Sequence, residues 1–301
     1  INNLNDNTPN ISSSSSFSID ENETAIGTVT ATDVDGDSLT YSISGSEINI
    51  NSSSGVLTFA SAPDYETKSS YSATVSVSDG TNTSTQNVTV DINNLNDNTP
   101  NISSSSSFSV DENETAIGTV TATDADGDSL TYSISGSEIN INSSTGVMTF
   151  ASAPDYETKS SYSATVTASD GANSTTQAIT VNINNLNDNA PSFTSNATFT
   201  ADENQTSIGT VTATDPEGDS ITYAISGSEI NIDSSSGVLT FASAPDYETK
   251  SSYSATVTAS DGTNSATQGI TVTIADVEEN LNAPSFTSNA TFTADENQTA
   301  I

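Results

Sequence analysis

Residues 161–185 read SYSATVTASDGANSTTQAITVNINN and contain two runs in which apolar and polar side chains alternate. The apolar positions are Tyr162, Ala164, Val166 and Ala168 in the first run and Ile179, Val181 and Ile183 in the second. Alternation with a period of two predicts strands that bury one face and expose the other. Gly171 lies between the two runs, where a turn is expected.

The same alternation predicts further short strands upstream of this segment. They are expected at Phe108/Val110, Ile117–Ala122, Leu130/Tyr132/Ile134, Ile139/Ile141 and Met148/Phe150. No segment has a helical period. About seven short strands in about 90 residues are typical of an immunoglobulin-like β-sandwich with Greek-key connections.

This unit recurs along the chain. Glu21 returns as Glu112, Glu203 and Glu296, and residues 1–91 differ from residues 92–182 at only 12 positions. A period of 91 residues exceeds the roughly 20–50 residues of a solenoid repeat and suits a small domain that folds by itself. The fold class is therefore all-β, with tandem seven-stranded Greek-key sandwiches in a linear array.

The repeat landmarks also predict the domain organisation. We expect a linker from a preceding repeat at 1–9, complete repeats at 10–100, 101–191 and 192–284, and the start of a truncated repeat at 285–301. Both ends fall within the pattern, so we expect a window on a longer array. No signal peptide is visible, and no apolar run reaches the roughly 18 residues that span a membrane.

Composition excludes several classes of function. The 301 residues include 39 acidic and 3 basic side chains, all three of them Lys, and no His or Cys, for a net charge of −36. Without His or Cys there is no triad of the usual kind, no disulfide and no ordinary zinc or haem site, so an enzyme is not expected. Such a negative surface also disfavours nucleic acid as a partner.

The acidic residues are grouped at predicted strand ends and loops. In the second copy the groups lie at 111–113, 124–128, 155–157, 169–171 and 187–189. Packed together without a counter-ion they would repel by several kcal/mol. Carboxylate and amide oxygens, with no nitrogen or sulfur ligands, favour calcium. Turn formation by Asp, Asn and Gly is the alternative explanation for any single group, but it explains less well the recurrence of all the groups in register.

The motifs in these groups resemble those of the cadherin repeat, in the same order. They are DEN at Asp20–Asn22, ATDVD at Ala31–Asp35, the segment ending in DYE at Ser52–Glu66, SVSDG at Ser76–Gly80 and NLNDNTP at Asn94–Pro100. The resemblance covers the whole chain and implies calcium ions between successive repeats. It implies that each site takes ligands from the base of one repeat, from the linker and from the top loops of the next repeat.

The resemblance assigns candidate ligands to each junction. For the first junction they are Glu21, Asp64, Glu66, Asn96, Asp97, Asn98, Asp124, Asp126 and Asp170. For the second they are Glu112, Asp155, Glu157, Asn187, Asp188, Asn189, Asp215, Glu217 and Asp261. An incoming half-site would use Asn5, Asp6, Asn7, Asp33, Asp35 and Asp79. The third junction would use Glu203, Asp246, Glu248, Asp276, Glu278 and Glu279.

This chain departs from the family pattern at several places. Glu217 stands where Asp is usual, and the third linker carries two extra residues, Leu281 and Asn282. Asn94 and Asn185 replace the first Asp of the linker motif, which removes a charge from each linker. There is no Trp, so adhesion by exchange of a Trp-anchored strand is not supported.

These features predict a secreted or cell-surface array that calcium stiffens, acting as a stalk, spacer or filament of an adhesin. The Gly-Asp after each Asp-x-Asp motif and the near-identical copies resemble bacterial surface proteins, including those of biofilms. The alternative is an adhesion module that binds identical chains or a polysaccharide. Expected partners are neighbouring repeats and identical chains, the latter through an unprotected edge strand at Ser103–Ser107. Lys68, Lys159 and Lys250 are expected to be solvated charges, and an isopeptide bond to Asn is the less favoured alternative.

Overall fold

The computed structural model describes residues 4–278, 287, 291 and 293–299. All secondary-structure elements within these residues are β-strands. The chain divides after Asn184 into two compact units, the first holding two domains and the second holding one. In the described part of the chain no helix is long and apolar enough to cross a membrane.

The first domain is built from nine strands. They are β1 (Asn10–Ile11), β2 (Ser16–Asp20), β3 (Ala25–Thr28), β4 (Ala31–Thr32), β5 (Thr40–Ile43), β6 (Ile48–Ile50), β7 (Val56–Phe59), β8 (Ser70–Ser78) and β9 (Thr83–Asn93). A four-stranded sheet has the order β2-β9-β8-β5, a three-stranded sheet has the order β3-β7-β6, and β1 pairs with β4. Strands β2 and β9 are parallel, and Phe17 lies opposite Val90 in their register.

The second domain repeats this topology. Its strands are β10 (Asn101–Ile102), β11 (Ser107–Asp111), β12 (Ala116–Thr119), β13 (Ala122–Thr123), β14 (Thr131–Ile134), β15 (Ile139–Ile141), β16 (Val147–Phe150), β17 (Ser161–Ser169) and β18 (Ser174–Asn184). The sheets have the orders β11-β18-β17-β14, β12-β16-β15 and β10-β13.

The third domain, in the second compact unit, has the same plan. Its strands are β19 (Ser192–Phe193), β20 (Thr198–Asp202), β21 (Ser207–Thr210), β22 (Ala213–Thr214), β23 (Thr222–Ile225), β24 (Ile230–Ile232), β25 (Val238–Phe241), β26 (Ser252–Ser260) and β27 (Ser265–Ala275). The sheets have the orders β20-β27-β26-β23, β21-β25-β24 and β19-β22.

Each core lies between the two larger sheets of its domain. In the second domain the inward positions of β17 and β18 include Val166 and Val181, which are fully buried, and they face Met148 of β16. Tyr162 packs edge-on against Phe150, with ring centroids 4.8 Å apart. The side chains that point into this core are the apolar residues that alternate in the sequence. The period of two therefore correctly predicts which face of each strand is buried.

The predicted all-β class of tandem sandwiches is confirmed. Each domain has nine strands and not about seven, and two further details of the strand prediction are wrong. The predicted strand at Ile117–Ala122 is interrupted after Thr119, and its continuation β13 pairs with β10, which is too short for its alternation to be recognised. Ser103–Ser106 form the loop between β10 and β11, and only Ser107 begins a strand. The expected unprotected edge strand at Ser103–Ser107 is therefore absent.

Candidate metal centre

Glu21 is the buried anchor of the candidate site at the first junction. It directly follows β2 and is only 2% exposed. Its Oε2 accepts a hydrogen bond from the backbone N–H of Tyr65 at 2.8 Å, and its Oε1 accepts one from that of Leu95 at 2.8 Å. A buried charge is tolerated when it is hydrogen-bonded in this way. Glu21 thereby ties the 64–66 loop and the start of the linker to its own repeat.

The residue after Glu21 reaches the linker directly. Asn22 has a φ of 68°, in the left-handed region that Asn tolerates. Its backbone N–H donates to the carbonyl of Pro63 at 2.9 Å, and its side-chain Nδ2 donates to Oδ2 of Asp97 at 2.6 Å. The Asp-Glu-Asn motif therefore holds one buried carboxylate and aims an amide at the linker.

Four carboxylates from two repeats and the linker between them converge, and Glu21 is one of the four. One oxygen each from Glu21, Glu66, Asp97 and Asp126 lies within 4.8 Å of the others. A cavity of about 310 Å³ adjoins them, lined by Glu21, Asn22, Asp64, Glu66, Asp97, Asn98 and Ala125. Desolvation, and then the charges of Glu21 and Asp126, raise the pKa of Glu66. The repulsion between grouped carboxylates, which the sequence implies, therefore acts where these four side chains meet.

The linker is also bound to the second repeat. Oδ2 of Asp126 accepts hydrogen bonds from the backbone N–H groups of Asp97 at 3.1 Å and Asn98 at 2.9 Å. Nδ2 of Asn98 donates to Oδ1 of Asp126 at 2.7 Å, and Nδ2 of Asn94 donates to the backbone carbonyl oxygen of Asp126 at 2.8 Å. Desolvation raises the pKa of Asp126, but the bonds from Asn98 and Asp97 outweigh it and the pKa is lowered.

Two candidate ligands at this junction have a buried carboxylate oxygen without a hydrogen-bond partner. They are Oδ2 of Asp124 and Oδ2 of Asp170, whereas Oδ1 of each accepts backbone N–H groups. A buried acceptor left without a partner is costly. A cation satisfies it, and oxygen ligands alone suit calcium. The residues present therefore fit the ion that the sequence predicts.

The same unpartnered oxygens occur in the other repeats. They are Oδ2 of Asp33 in the first repeat, and Oδ2 of Asp215, Oε2 of Glu217 and Oδ2 of Asp261 in the third. Oδ1 of Asp261 accepts the N–H groups of Thr263 and Asn264 at 2.6 Å, as Asp170 does with its own turn. The fit to a cation is thus a property of each repeat.

Asp64 is oriented differently from the four converging carboxylates. Its oxygens accept from the hydroxyl of Thr67 at 2.9 Å and from the backbone N–H of Thr67 at 3.1 Å, and these bonds lower its pKa. Asp64 lines the cavity but is outside the four-carboxylate group. Asp155 has the same two bonds to Thr158.

The incoming half-site has the arrangement of the first junction. Oδ2 of Asp35 accepts from the backbone N–H groups of Asp6 at 3.1 Å and Asn7 at 3.0 Å. Nδ2 of Asn5 donates to the carbonyl of Asp79 at 3.3 Å, and Asp79 is 8% exposed. Asp33 and Asp35 also lie with Asp37 in a group whose oxygens are within 4.8 Å of one another.

The candidate ligands of the second junction are divided between the compact units. In the first unit, Glu112 is 2% exposed and its Oε2 accepts the N–H of Tyr156 at 2.9 Å, while Glu157 is exposed. In the second unit, Nδ2 of Asn189 donates to Oδ1 of Asp188 at 2.8 Å and to Oε1 of Glu217 at 2.5 Å. The longer Glu217 therefore still contacts its linker.

At the third junction the described residues form the upstream half of a site. Glu203 accepts the N–H groups of Tyr247 at 2.9 Å and Val277 at 2.8 Å. Oxygens of Glu203, Asp246 and Glu248 lie within 4.8 Å of one another, so here the Asp of the Asp-Tyr-Glu motif joins the group. A backbone hydrogen bond lowers the pKa of Glu248, but desolvation, and then the charges of Glu203 and Asp276 and a hydrogen bond with Asp246, outweigh it and the pKa is raised. Glu278 is exposed, and Glu279, Leu281 and Asn282 lie outside the described residues.

Sequence reasoning missed two kinds of residue. Asp37 and Asp128 join the Asp-x-Asp carboxylates, and the recurring Gly-Asp after that motif was the available signal. Asn82, Asn173 and Asn264 bind the linkers, and the signal was Asp-Gly-x-Asn in every repeat.

The lysines are not simple solvated charges, contrary to expectation. Nζ of Lys159 lies 2.6 Å from Oε1 of Glu138 and 4.2 Å from the ring centroid of Tyr162. Lys68 and Lys250 form the same pairs with Glu47 and Glu229.

Tandem Greek-key sandwiches whose linkers meet clustered carboxylate oxygens define a class of repeat proteins. A cadherin-domain family model matches the chain three times, at residues 15–93, 106–184 and 197–278. The chain belongs to the cadherin family.

Several known proteins are similar to this chain over part of their length. Mouse protocadherin Fat 4 is 39% identical over 130 residues, which are 39% of this chain and 3% of that protein. Mouse cadherin EGF LAG seven-pass G-type receptor 1 is 32% identical over 154 residues, which are 48% of this chain and 5% of that protein. The chain therefore spans only a small part of the curated relatives that it matches.

Solved structures agree with this assignment. Mouse cadherin-23 EC22-24 is similar with a TM-score of 0.76 and 26% identity, covering 90% of this chain and all of that one. The structure of protocadherin gamma B2 extracellular cadherin domains 1-5 is similar with a TM-score of 0.75 and 26% identity. The match covers 92% of this chain and 61% of that one. Cadherin domains bind calcium and are typically non-enzymatic adhesion modules. The chain is thus an extracellular, adhesion-related repeat array.

Proposed function

We propose that calcium ions bound at the linkers stiffen this array, which serves as the stalk, spacer or filament of a cell-surface adhesin. The observation that carries the proposal is the convergence of Glu21, Glu66, Asp97 and Asp126 from two repeats and the linker between them. A cation at this point contacts all three segments. Its removal leaves like charges in contact, so the junction opens.

The proposed ligands are the residues that the sequence assigns to each junction. At the first junction the unpartnered oxygens of Asp124 and Asp170 add to the four converging carboxylates. Calcium takes six to eight oxygen ligands, and extracellular modules bind it at roughly 10⁻⁴–10⁻³ M. Such sites are filled outside a cell and empty inside it, so the array would become rigid after export.

A spacer or filament is favoured over a set of distinct recognition domains by the similarity of the copies. The first two repeats differ at 12 of 91 positions, so neither has acquired a surface of its own. Tyr132, Tyr156 and Tyr162 pack against the core of the second domain, which leaves few exposed rings for binding a polysaccharide. The near-identity of the copies supports placing the array in a bacterial adhesin.

The proposal is tested by a distance measurement within the first compact unit. The chain has no Cys, so Ser46→Cys and Ser137→Cys introduce the only two thiols, at equivalent exposed positions of the first two repeats. Spin labels at these sites are expected to give a narrow distance distribution in millimolar calcium and a broad one in excess EGTA. A pair within the first domain and outside the proposed sites, Ser46→Cys with Thr85→Cys, both at exposed positions, is the matched control and should not respond to calcium.

Small-angle X-ray scattering from the unlabelled chain distinguishes stiffening of a single chain from self-association. Stiffening predicts a narrower range of conformations in calcium at every protein concentration. A particle that grows with concentration only in calcium would favour self-association as the main function. Equal distance distributions in calcium and EGTA would contradict the proposal.

A further inference from the structure

A recurring Asn lies in the turn that follows the first long strand of each domain. In the second domain this turn is Asp170-Gly171-Ala172-Asn173, between β17 and β18. The backbone N–H of Asn173 donates to Oδ1 of Asp170 at 2.6 Å, and the hydroxyl of Ser169 donates to the carbonyl of Asn173 at 2.9 Å. These bonds fix the turn and leave the Asn173 side chain free to reach outward.

The side-chain amide of this Asn binds the linker. Nδ2 of Asn173 donates to the carbonyl of Asn98 at 3.2 Å and to Oδ1 of Asn96 at 3.4 Å. In return, Nδ2 of Asn96 contacts the carbonyl of Asp170 at 3.5 Å. The side-chain amide of Asn173 therefore connects two proposed calcium ligands of the first junction, and Asn96 connects them to a third, Asp170.

The equivalent Asn also binds the linker in the other repeats, through both equivalent linker residues in the first repeat and through only one of them in the third. Nδ2 of Asn82 donates to the carbonyl of Asn7 at 3.1 Å and to Oδ1 of Asn5 at 3.2 Å. Nδ2 of Asn264 donates to the carbonyl of Asn187 at 3.2 Å and to its Oδ1 at 3.0 Å.

We infer that Asn82, Asn173 and Asn264 are positioning residues that dock each linker on the downstream repeat and so preassemble half of each calcium site. The inference rests on the proposed function and adds to it residues that are not themselves ligands. An amide suits this role because it donates to two oxygens and adds no charge to a crowded acidic site. Asp at this position would place carboxylate oxygens against the same two acceptors.

The test is ¹⁵N NMR of the full chain, first in EGTA and then during a calcium titration. In Asn173→Ala, the amides of Asp97 and Asn98 are expected to gain fast motion in EGTA, seen as a lower heteronuclear NOE. The calcium concentration at which the signals of these amides are half shifted should rise by about 10-fold or more. This is the usual effect of losing a partner that orients a metal ligand. Asn82→Ala is the matched control, which should loosen Asp6 and Asn7 and leave Asp97 and Asn98 unchanged.

A second variant separates docking from stability. Asn173→Asp keeps the size of the side chain and the backbone bonds of the turn, so it should fold, and it should also loosen Asp97 and Asn98 in EGTA. Linker amides that remain as ordered as in the parent chain, in either variant, would overturn the inference. If calcium shifted no linker amide of the parent chain, the proposed function would fail, while the EGTA comparison would still decide the docking role.

Discussion

The backbone N–H of Leu95 donates to Oε1 of Glu21 at 2.8 Å, although the two residues are 74 positions apart. The other oxygen of Glu21 accepts from Tyr65, and the side chain is 2% exposed. One buried carboxylate thus closes the base of the repeat, holds the linker and presents negative charge to the cavity.

Glu21→Gln should therefore destabilise the first repeat even without calcium. An amide has one oxygen, so one of the two N–H donors loses its acceptor, which costs about 1–3 kcal/mol. Thermal and denaturant unfolding in EGTA measure this loss. Glu23→Gln removes the same charge from an exposed position and is the matched control. Equal stabilities of the two variants would contradict the structural role of Glu21.

Asp124→Asn should separate metal binding from folding. Oδ1 of Asp124 accepts the N–H of Asp126 at 3.0 Å, whereas its Oδ2 has no partner. The substitution keeps the first oxygen and replaces the second by an amide, so stability in EGTA should hardly change. Calcium affinity at the first junction should fall by roughly 10-fold or more, because affinity follows the number of charged ligands.

Calorimetric titration of Asp124→Asn beside Asp33→Asn tests this expectation. Asp33 has the same unpartnered Oδ2 but lies at the incoming half-site, so its substitution should leave the first junction intact. Loss of stability in EGTA for Asp124→Asn, or undiminished affinity for calcium, would show that the unpartnered oxygen is not a ligand.

The Lys159 pair should contribute little to stability. Lys159 and Glu138 are 41% and 56% exposed, and exposed ion pairs contribute about 0.2–1 kcal/mol. The Tyr162 ring beneath Nζ adds a contribution of similar size, about 0.5–1 kcal/mol. A double-mutant cycle of Lys159→Met and Glu138→Gln should give a coupling in this range that weakens with salt. A coupling that resists high salt would contradict it.

Asp233 should give the third domain one source of acid sensitivity that the first two domains lack at the equivalent position. The backbone N–H of Ser236, then the hydroxyls and N–H of Ser235 and Ser236, lower the pKa of Asp233 strongly. A carboxyl whose pKa is lower when folded contributes stability above its unfolded pKa of about 3.9, and this is lost as pH falls below that value. Asn51 and Asn142 occupy the equivalent positions.

Asp233→Asn is accordingly expected to destabilise the third domain at pH 7 and to have a smaller effect at pH 2.5. Thermal unfolding across this range, without added calcium, measures the difference. Asn142→Asp is the reciprocal variant and should give the second domain the same loss of stability in acid. A difference between Asp233→Asn and the parent chain that does not change with pH would contradict the assignment.

Much of the fold could be predicted because the relevant patterns are local. The strands at Tyr162–Ala168 and Ile179–Ile183 are confirmed, since alternation along a strand directly reflects which face is buried. The two-residue strand β10 was missed because its pairing with β13 depends on a partner elsewhere in the chain. The ion pair of Lys159 was missed for the same reason, since Glu138 is 21 positions away.

The amino-acid sequence by itself determined the all-β class, the tandem repeats and the oxygen-only chemistry of the acidic motifs. These follow from side-chain period, self-similarity and the absence of His and Cys. Only the tertiary structure decided that Glu21, Glu66, Asp97 and Asp126 converge, that Asp64 turns toward Thr67, and that Asn173 holds the linker. Convergence depends on how the sheets and turns pack in three dimensions, and residue types and spacing along the chain do not specify which oxygen faces which neighbour.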